Sequence, residues 1–124
     1  MSTDPYSPAV RAYFSETAHA GDLDDAVTAE LAEQGIRLRL AATHDKGEIR
    51  ALRFRAWGCP HVIAACESFC RDYEGQPVTA LAGFRATDIM SKLSVPVEKT
   101  GRILVIEDAV RSLGRSICDG SVAQ

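Results

Sequence analysis

The chain has 124 residues, 46% of them hydrophobic and 25% charged, the proportions of a soluble domain that can bury a core and not of a disordered tail, a fibre or a multidomain machine. A formal net charge of −3 opposes whole-molecule attraction to nucleic acid or anionic lipid, so any basic site must be local. No run reaches the roughly eighteen apolar residues of a membrane span, and the start MSTDPYSPAV lacks a signal peptide's basic and apolar regions; a cytoplasmic protein with reduced thiols is predicted.

Ser7 before Pro8 supplies a helix cap and a proline at the first helical position, and Val10, Tyr13, Phe14 and Thr17 follow at helical spacing, which predicts a first helix running toward Gly21. Residues 22–35 are acidic and alanine-rich, with only Leu23, Val27 and Leu31 as larger apolar anchors, and no element is assigned to them. From Ile36 the period becomes two: Ile36, Leu38, Leu40 and Ala42 alternate with Arg37, Arg39 and Ala41, the pattern of a strand with one buried face. His44-Asp45-Lys46-Gly47 is turn chemistry, and a second strand from Glu48 to Trp57 carries Leu52, Phe54 and Ala56 on one side.

Pro60 starts a helix whose apolar stripe is Val62, Ile63, Cys66, Phe69, Cys70 and Tyr73, with Glu74-Gly75 at its end. A helical turn around Val78 and Leu81 comes next, then a short helix over Ile89–Leu93 capped by Thr87-Asp88, an extended loop over Ser94–Lys99, and a last helix from about Ile103 to Ile117. Only the last few residues look dispensable. Helix, hairpin, then several helices make an α+β fold, a small antiparallel sheet with helices packed on one face, as a single domain over 1–124.

Cys59 sits between a glycine and a proline-started helix, at the positive end of a helix dipole, which favours the thiolate. Two readings stand: a thiolate that ligates metal or accepts sulfur, and a small buried side chain at a tight turn. Cys66 and Cys70 follow Cys59 by seven and eleven residues, on one helical face that also carries Val62, Ile63 and Phe69, so both are expected in the core. The four cysteines include neither a CxxC nor a Cys/His finger spacing, which excludes a zinc finger, and Cys118 has no partner in sequence. His19, His44 and His61 are expected at the surface or as caps, with His61 close enough in sequence to influence Cys59. Arg37, Arg39, Arg50, Arg53 and Arg55 gather on the hairpin, either as a basic patch for an acidic protein partner or as a solvated face guarded by charge. No hydrolase triad, paired-carboxylate motif, GxGxxG or phosphate loop occurs, so an enzyme with its own turnover is not expected.

The stretch Glu48-Ile49-Arg50-Ala51-Leu52-Arg53-Phe54-Arg55-Ala56-Trp57-Gly58-Cys59-Pro60-His61-Val62-Ile63-Ala64-Ala65 resembles the strand, Gly-Cys turn and small-residue helix of IscU/NifU-type iron–sulfur cluster assembly scaffold proteins. Ala86-Thr87-Asp88-Ile89 resembles the family's Asn-Thr-Asp-Ile, Val95-Pro96-Val97-Glu98-Lys99 its Leu-Pro-Pro-Val-Lys chaperone-recognition loop, and Glu107-Asp108-Ala109-Val110 part of its last helix. Tyr6-Ser7-Pro8 and Gly21-Asp22-Leu23-Asp24 fit its N-terminal pattern. The resemblance implies an IscU/NifU-like fold.

In that family three cysteines, helped by an aspartate and a histidine, hold the growing cluster or a zinc ion, and sulfur arrives as persulfide from a cysteine desulfurase. Cys59 matches the middle cysteine, whereas Glu33-Gln34-Gly35 stand where the family has Cys-Gly-Asp and Gly101-Arg102 where it has His-Cys. A single thiolate cannot hold a [2Fe–2S] unit. The resemblance therefore implies a divergent scaffold with Cys59 as residual ligand or sulfur acceptor and Glu33, His61 and Arg102 as its candidate neighbours; Cys66 or Cys70 could replace a ligand only if the fold brought them close. Implied partners are a cysteine desulfurase and an assembly chaperone at Val95, Pro96, Val97, Glu98 and Lys99, although the loop lacks the second proline and carries Glu98 in place of an apolar residue. The implied cargo is an iron–sulfur cluster, iron or zinc, held transiently, or none. The alternative is a partner-binding or regulatory protein that reuses the fold without metal. Convergence of Glu33 and Arg102 on an accessible Cys59 favours an altered ligand site; burial of Cys59 among aliphatic side chains removes it.

Overall fold

Ser7 caps the first helix as its sequence requires: its hydroxyl accepts the Val10 N–H at 3.1 Å and donates to the Leu93 carbonyl at 2.6 Å, satisfying one free donor of the helix start and tying it to a distant helix. The computed structural model describes residues 6–122, with side chains through residue 118. In chain order the elements are α1 (Pro8–Ser15), β1 (Val27–Glu33), β2 (Ile36–Asp45), β3 (Glu48–Trp57), α2 (Pro60–Tyr73), a 3₁₀ segment (Val78–Gly83), α3 (Ala86–Leu93), a 3₁₀ turn (Val97–Lys99) and α4 (Thr100–Val122).

The sheet has three antiparallel strands in the order β1-β2-β3. Both hairpins close through two-residue turns with positive φ at each position, Gln34 (52°) and Gly35 (75°) in the first, Lys46 (53°) and Gly47 (78°) in the second, whose twist matches that of the flanking strands. The outer edge of β3 is covered. Phe54 donates to the His19 carbonyl, Gly21 donates to Phe54, Ile49 donates to Gln76, and Leu52 N–H is accepted by Glu74 Oε2 at 2.9 Å, leaving few donors for pairing with another chain.

Helices α2 and α4 pack on one face of the sheet, with α1 and α3 packed against them. Leu38, Leu40, Leu52 and Phe54 meet Val62, Ala65, Cys66 and Phe69 of α2 and Ile103, Ile106, Val110 and Leu113 of α4 in one buried cluster, each large side chain contributing about 1.5–3 kcal/mol on burial. Cys66 and Cys70 are fully buried, as expected of core residues. Burial pushes both thiols well above the ordinary cysteine range, with Glu67 adding to the shift at each.

Four sequence expectations need correction. The first helix stops at Ser15, and residues 19–21 run instead as an edge ribbon along β3. The unassigned acidic stretch contains β1, an edge strand that buries Ala29 and half-buries Val27 and Leu31 while Thr28, Glu30, Ala32 and Glu33 are exposed. Helix α3 begins at Ala86, so Thr87 and Asp88 lie inside it; the Ala86 N–H is satisfied by Glu107 Oε1 of α4 at 2.8 Å. The loop at 94–99 holds a 3₁₀ turn that runs straight into α4, which starts at Thr100 and not near Ile103. Residues 123–124, part of the stretch expected to be dispensable, lie outside the described residues.

Candidate functional site at Cys59

Gly58 is where the sheet hands over to α2, and only glycine fits there: a Cβ would lie 2.7 Å from Ile36 Cγ2. The contact locks the start of β2 against the residue before Cys59. Cys59 is the N-cap of α2 in extended conformation (φ −83°, ψ 163°), and its carbonyl accepts Val62 N–H at 3.0 Å. Its side chain is partly exposed.

The start of α4 reaches the same place. Arg102, in the first turn of α4, acts electrostatically on the Cys59 sulfur. Gly101 faces the β1–β2 turn, where a Cβ would lie 3.3 Å from Gln34 Oε1. Glu33, at the end of β1, is exposed, and no described contact joins it to Cys59, unlike the expectation that it neighbours the thiol. The turn at 33–36, the Gly58-Cys59 junction and the Gly101-Arg102 helix start therefore meet at one end of the sheet. These are the three chain positions that the family resemblance links to ligands.

The electrostatics there favour an anion on sulfur. Burial raises the Cys59 thiol, but the Val62 N–H, the Arg102 guanidinium and the His61 N–H outweigh it and hold the thiol below its ordinary range, the combined effect of a helix N-terminus and a neighbouring cation. His61, expected at the surface or as a cap, is instead buried at 2% exposure. Its ring packs against Tyr6 at a centroid distance of 4.9 Å, and neither ring nitrogen has a hydrogen-bond partner. Burial, followed by Lys99 and Arg102 and opposed by Glu98, holds it below the ordinary imidazole range, so it is neutral near pH 7.

This donor set does not fit a metal ion or cluster. Among the described residues no three His, Cys, Asp or Glu side chains converge as such a site requires. Cys66 and Cys70 are sealed in the core and cannot act as replacement ligands, and Arg102 stands at the chain position where the resemblance expects a cysteine. Of the chaperone-like segment, Val95 is buried whereas Val97 is 83% exposed.

Other sequence readings resolve differently. The arginine face is largely neutralised: Arg55 Nε contacts both Asp22 oxygens at 2.9 Å, Arg39 lies 3.5 Å from Glu30 and 3.8 Å from Asp22, and Arg53 reaches Glu74 at 3.1 Å. Arg50 sits near Asp45 and Glu48 at 3.7 and 3.9 Å, and Arg37 lies over the Trp57 ring at 5.6 Å. His19, also expected at the surface or as a cap, bridges two carboxylates, with Nδ1 2.6 Å from the fully buried Glu67 and Nε2 3.2 Å from Glu74. Trp57, 53% exposed two residues before Cys59, went unremarked in the sequence, although its place on the arginine-bearing, outward phase of β3 was a signal for it.

The model of the NifU-like N terminal domain family matches residues 5–113. Among solved structures, an iron–sulfur cluster assembly scaffold protein assigned to the SUF system of Fervidobacterium islandicum AW-1 is 18% identical, with 91% of this chain and 87% of that one covered and a TM-score of 0.59. A nitrogen-fixing NifU-like protein (N-terminal) from Brucella abortus is 14% identical, covering 89% and 81%, at a TM-score of 0.58. A hypothetical protein is 17% identical over 82% of this chain and 96% of its own, at 0.60. With the sheet, the helices and the three converging turns on one end of it, the match over nearly the whole length settles the family: the chain belongs to the NifU-like N terminal domain family.

Proposed function

We propose that this protein is a scaffold-like component of iron–sulfur cluster assembly in which Cys59 receives sulfur from a cysteine desulfurase. Family membership supports the assembly role, and one observation carries the assignment of the residue: Cys59 is an accessible thiol at a helix start whose thiolate is stabilised by Arg102 and the first-turn N–H groups. A thiolate is the nucleophile that attacks a persulfide. The Cys59 thiolate attacks the outer sulfur of the donor's R–S–SH, the donor S–S bond breaks, RS⁻ leaves and Cys59–S–SH forms, with no net oxidation or reduction. The chain supplies no turnover of its own in this reading, and the segment from Pro96 to Lys99, with Val97 exposed, is where an assembly chaperone docks. Anaerobic incubation with a desulfurase, cysteine and iron, followed by thiol-specific persulfide labelling, tests it. Labelling that disappears in Cys59→Ser is expected; no labelling and no desulfurase binding in the wild type would sink the reading.

A second reading is favoured by the poor ligand set: a partner-binding or regulatory protein that presents Trp57 and Val97, both exposed, without sulfur chemistry. In that case Cys59→Ala leaves desulfurase binding unchanged and the wild type takes up no sulfur.

A further inference from the structure

Far from the Cys59 end, a groove of about 390 Å³ opens between the 3₁₀ segment (Val78–Gly83) and the second half of α4. Val78, Leu81 and Ala82 form its apolar wall. Arg111, Gly114, Arg115 and Cys118 line the opposite side, and offsets of three, four and seven residues put them on one helical face. Gly114 lies about 18 Å along α4 from Arg102, so this groove is separate from the turns around Cys59. Its size is that of a small-ligand site, and an apolar lining with a few polar groups is the usual composition of one.

Gly114 forms the floor. A Cβ there would lie 3.5 Å from Leu81 Cβ, an ordinary contact, and its φ is not positive, so neither close packing nor the backbone requires a glycine. Glycine inside a helix costs stability relative to alanine. What the missing side chain provides is open space against Leu81. The two guanidiniums beside that space are incompletely paired. Arg111 Nε is buried without a hydrogen-bond partner, and its Nη2 is 3.5 Å from Glu107 Oε2, while the other oxygen of Glu107 accepts from the Ala86 N–H. Arg115 is exposed and, among the described residues, has no ion-pair partner. Like charges four residues apart on a helix repel, and an anion between them removes the repulsion.

We propose that this groove binds a small amphipathic anion, a monocarboxylate with a short aliphatic chain, whose head pairs with Arg111 and Arg115 and whose chain lies over Gly114 against Val78 and Leu81. A carboxylate matches the planar fork of a guanidinium. An uncharged apolar ligand would leave both guanidiniums unpaired, and a wholly polar anion would leave the apolar wall unfilled. The inference does not rest on sulfur chemistry at Cys59. Cys118, exposed in the same groove, reports whether the groove is occupied.

The experiment titrates sodium octanoate into the full chain by calorimetry and follows alkylation of Cys118 and Cys59 by peptide mapping. Octanoate is expected to bind once per chain, and octanamide, of the same shape without the charge, about tenfold more weakly or not at all. At about four times its dissociation constant octanoate is expected to slow alkylation of Cys118 about fivefold and to leave Cys59 unchanged. Arg115→Met is expected to weaken octanoate about tenfold. Gly114→Leu, which fills the floor, is expected to abolish binding, and Gly114→Ala, which fits beside Leu81, to keep the fold and weaken binding less. No binding by the wild type at millimolar octanoate overturns the proposal, as does equal binding of octanamide or an unchanged affinity in both Arg115→Met and Gly114→Ala. A dimer in sedimentation equilibrium whose Cys118 is already protected without ligand also overturns it, by assigning the groove to a second copy of the chain.

Discussion

At the scale of single residues, four cysteines of one composition separate into three environments. Cys59 sits at a helix start with its thiol held below the ordinary range, Cys66 and Cys70 are core side chains with thiols raised by burial, and Cys118 is exposed. Alkylation with iodoacetamide near pH 7 is expected to modify Cys59 faster than Cys118 and to leave Cys66 and Cys70 unmodified until the protein is denatured; peptide mapping checks it, and native labelling of Cys66 would contradict the burial. His19 joins two carboxylates, one with no exposure at all. Its removal leaves Glu67 with Arg71 at 2.9 Å as remaining ion-pair partner, so His19→Ala is expected to cost about 2 kcal/mol, read from the urea midpoint. Burial raises the Glu74 carboxyl, but the Leu52 N–H, His19 and Arg53 together hold it below its ordinary 4.5. A depressed folded value means that the contribution is complete above about pH 4.5 and is lost as pH falls through the folded value, so Glu74→Gln flattens the acid limb of the stability profile.

At the scale of elements, the parts read correctly from the sequence are those whose signals are local. The two-residue period from Ile36 and again from Glu48, the Lys46-Gly47 turn, and Ser7-Pro8 and Cys59-Pro60 at helix starts all lie within a few residues of what they specify. What escaped depends on distant partners. Strand β1 has few large apolar side chains because it is an edge strand half open to solvent, and the acidic residues before and within it make sense only beside the arginines of β2 and β3: Asp22 and Glu30 neutralise Arg39 and Arg55, which are paired directly across the two strands. Like charges facing each other across a ladder are destabilising unless a carboxylate stands between them. The start of α3 is likewise fixed from α4, through Glu107. Glu107→Ala is expected to destabilise the protein by about 1 kcal/mol, the worth of a lost cap, as a shift in Tm. Gly58→Ala is expected to cost about 1–3 kcal/mol, since the added methyl overlaps Ile36 in a packed core, and to slow alkylation of Cys59 if the junction rotates.

At the scale of the whole molecule, the fold gathers at one end of the sheet three turns that are far apart in sequence, the chain positions that the family resemblance links to ligands. The family pattern made Cys59 legible and named the positions of Glu33 and Arg102, but residue identities alone could not say whether the α4 start lies near enough for Arg102 to influence Cys59; the docking of α4 against β1 and α2 decides it. The burial of His61 was hidden for the same reason, since Tyr6, which covers it, comes from the opposite end of the chain. Among the described residues no helix is long and apolar enough to cross a membrane. Intact-mass and peptide mass spectrometry after anaerobic incubation with a cysteine desulfurase and cysteine is the most direct measurement of Cys59 as sulfur acceptor. A gain of one sulfur atom confined to the peptide carrying Cys59 and absent in Cys59→Ser is the expected result; a wild type that binds the desulfurase yet gains no sulfur, or a Cys59→Ser variant that gains as much, contradicts it.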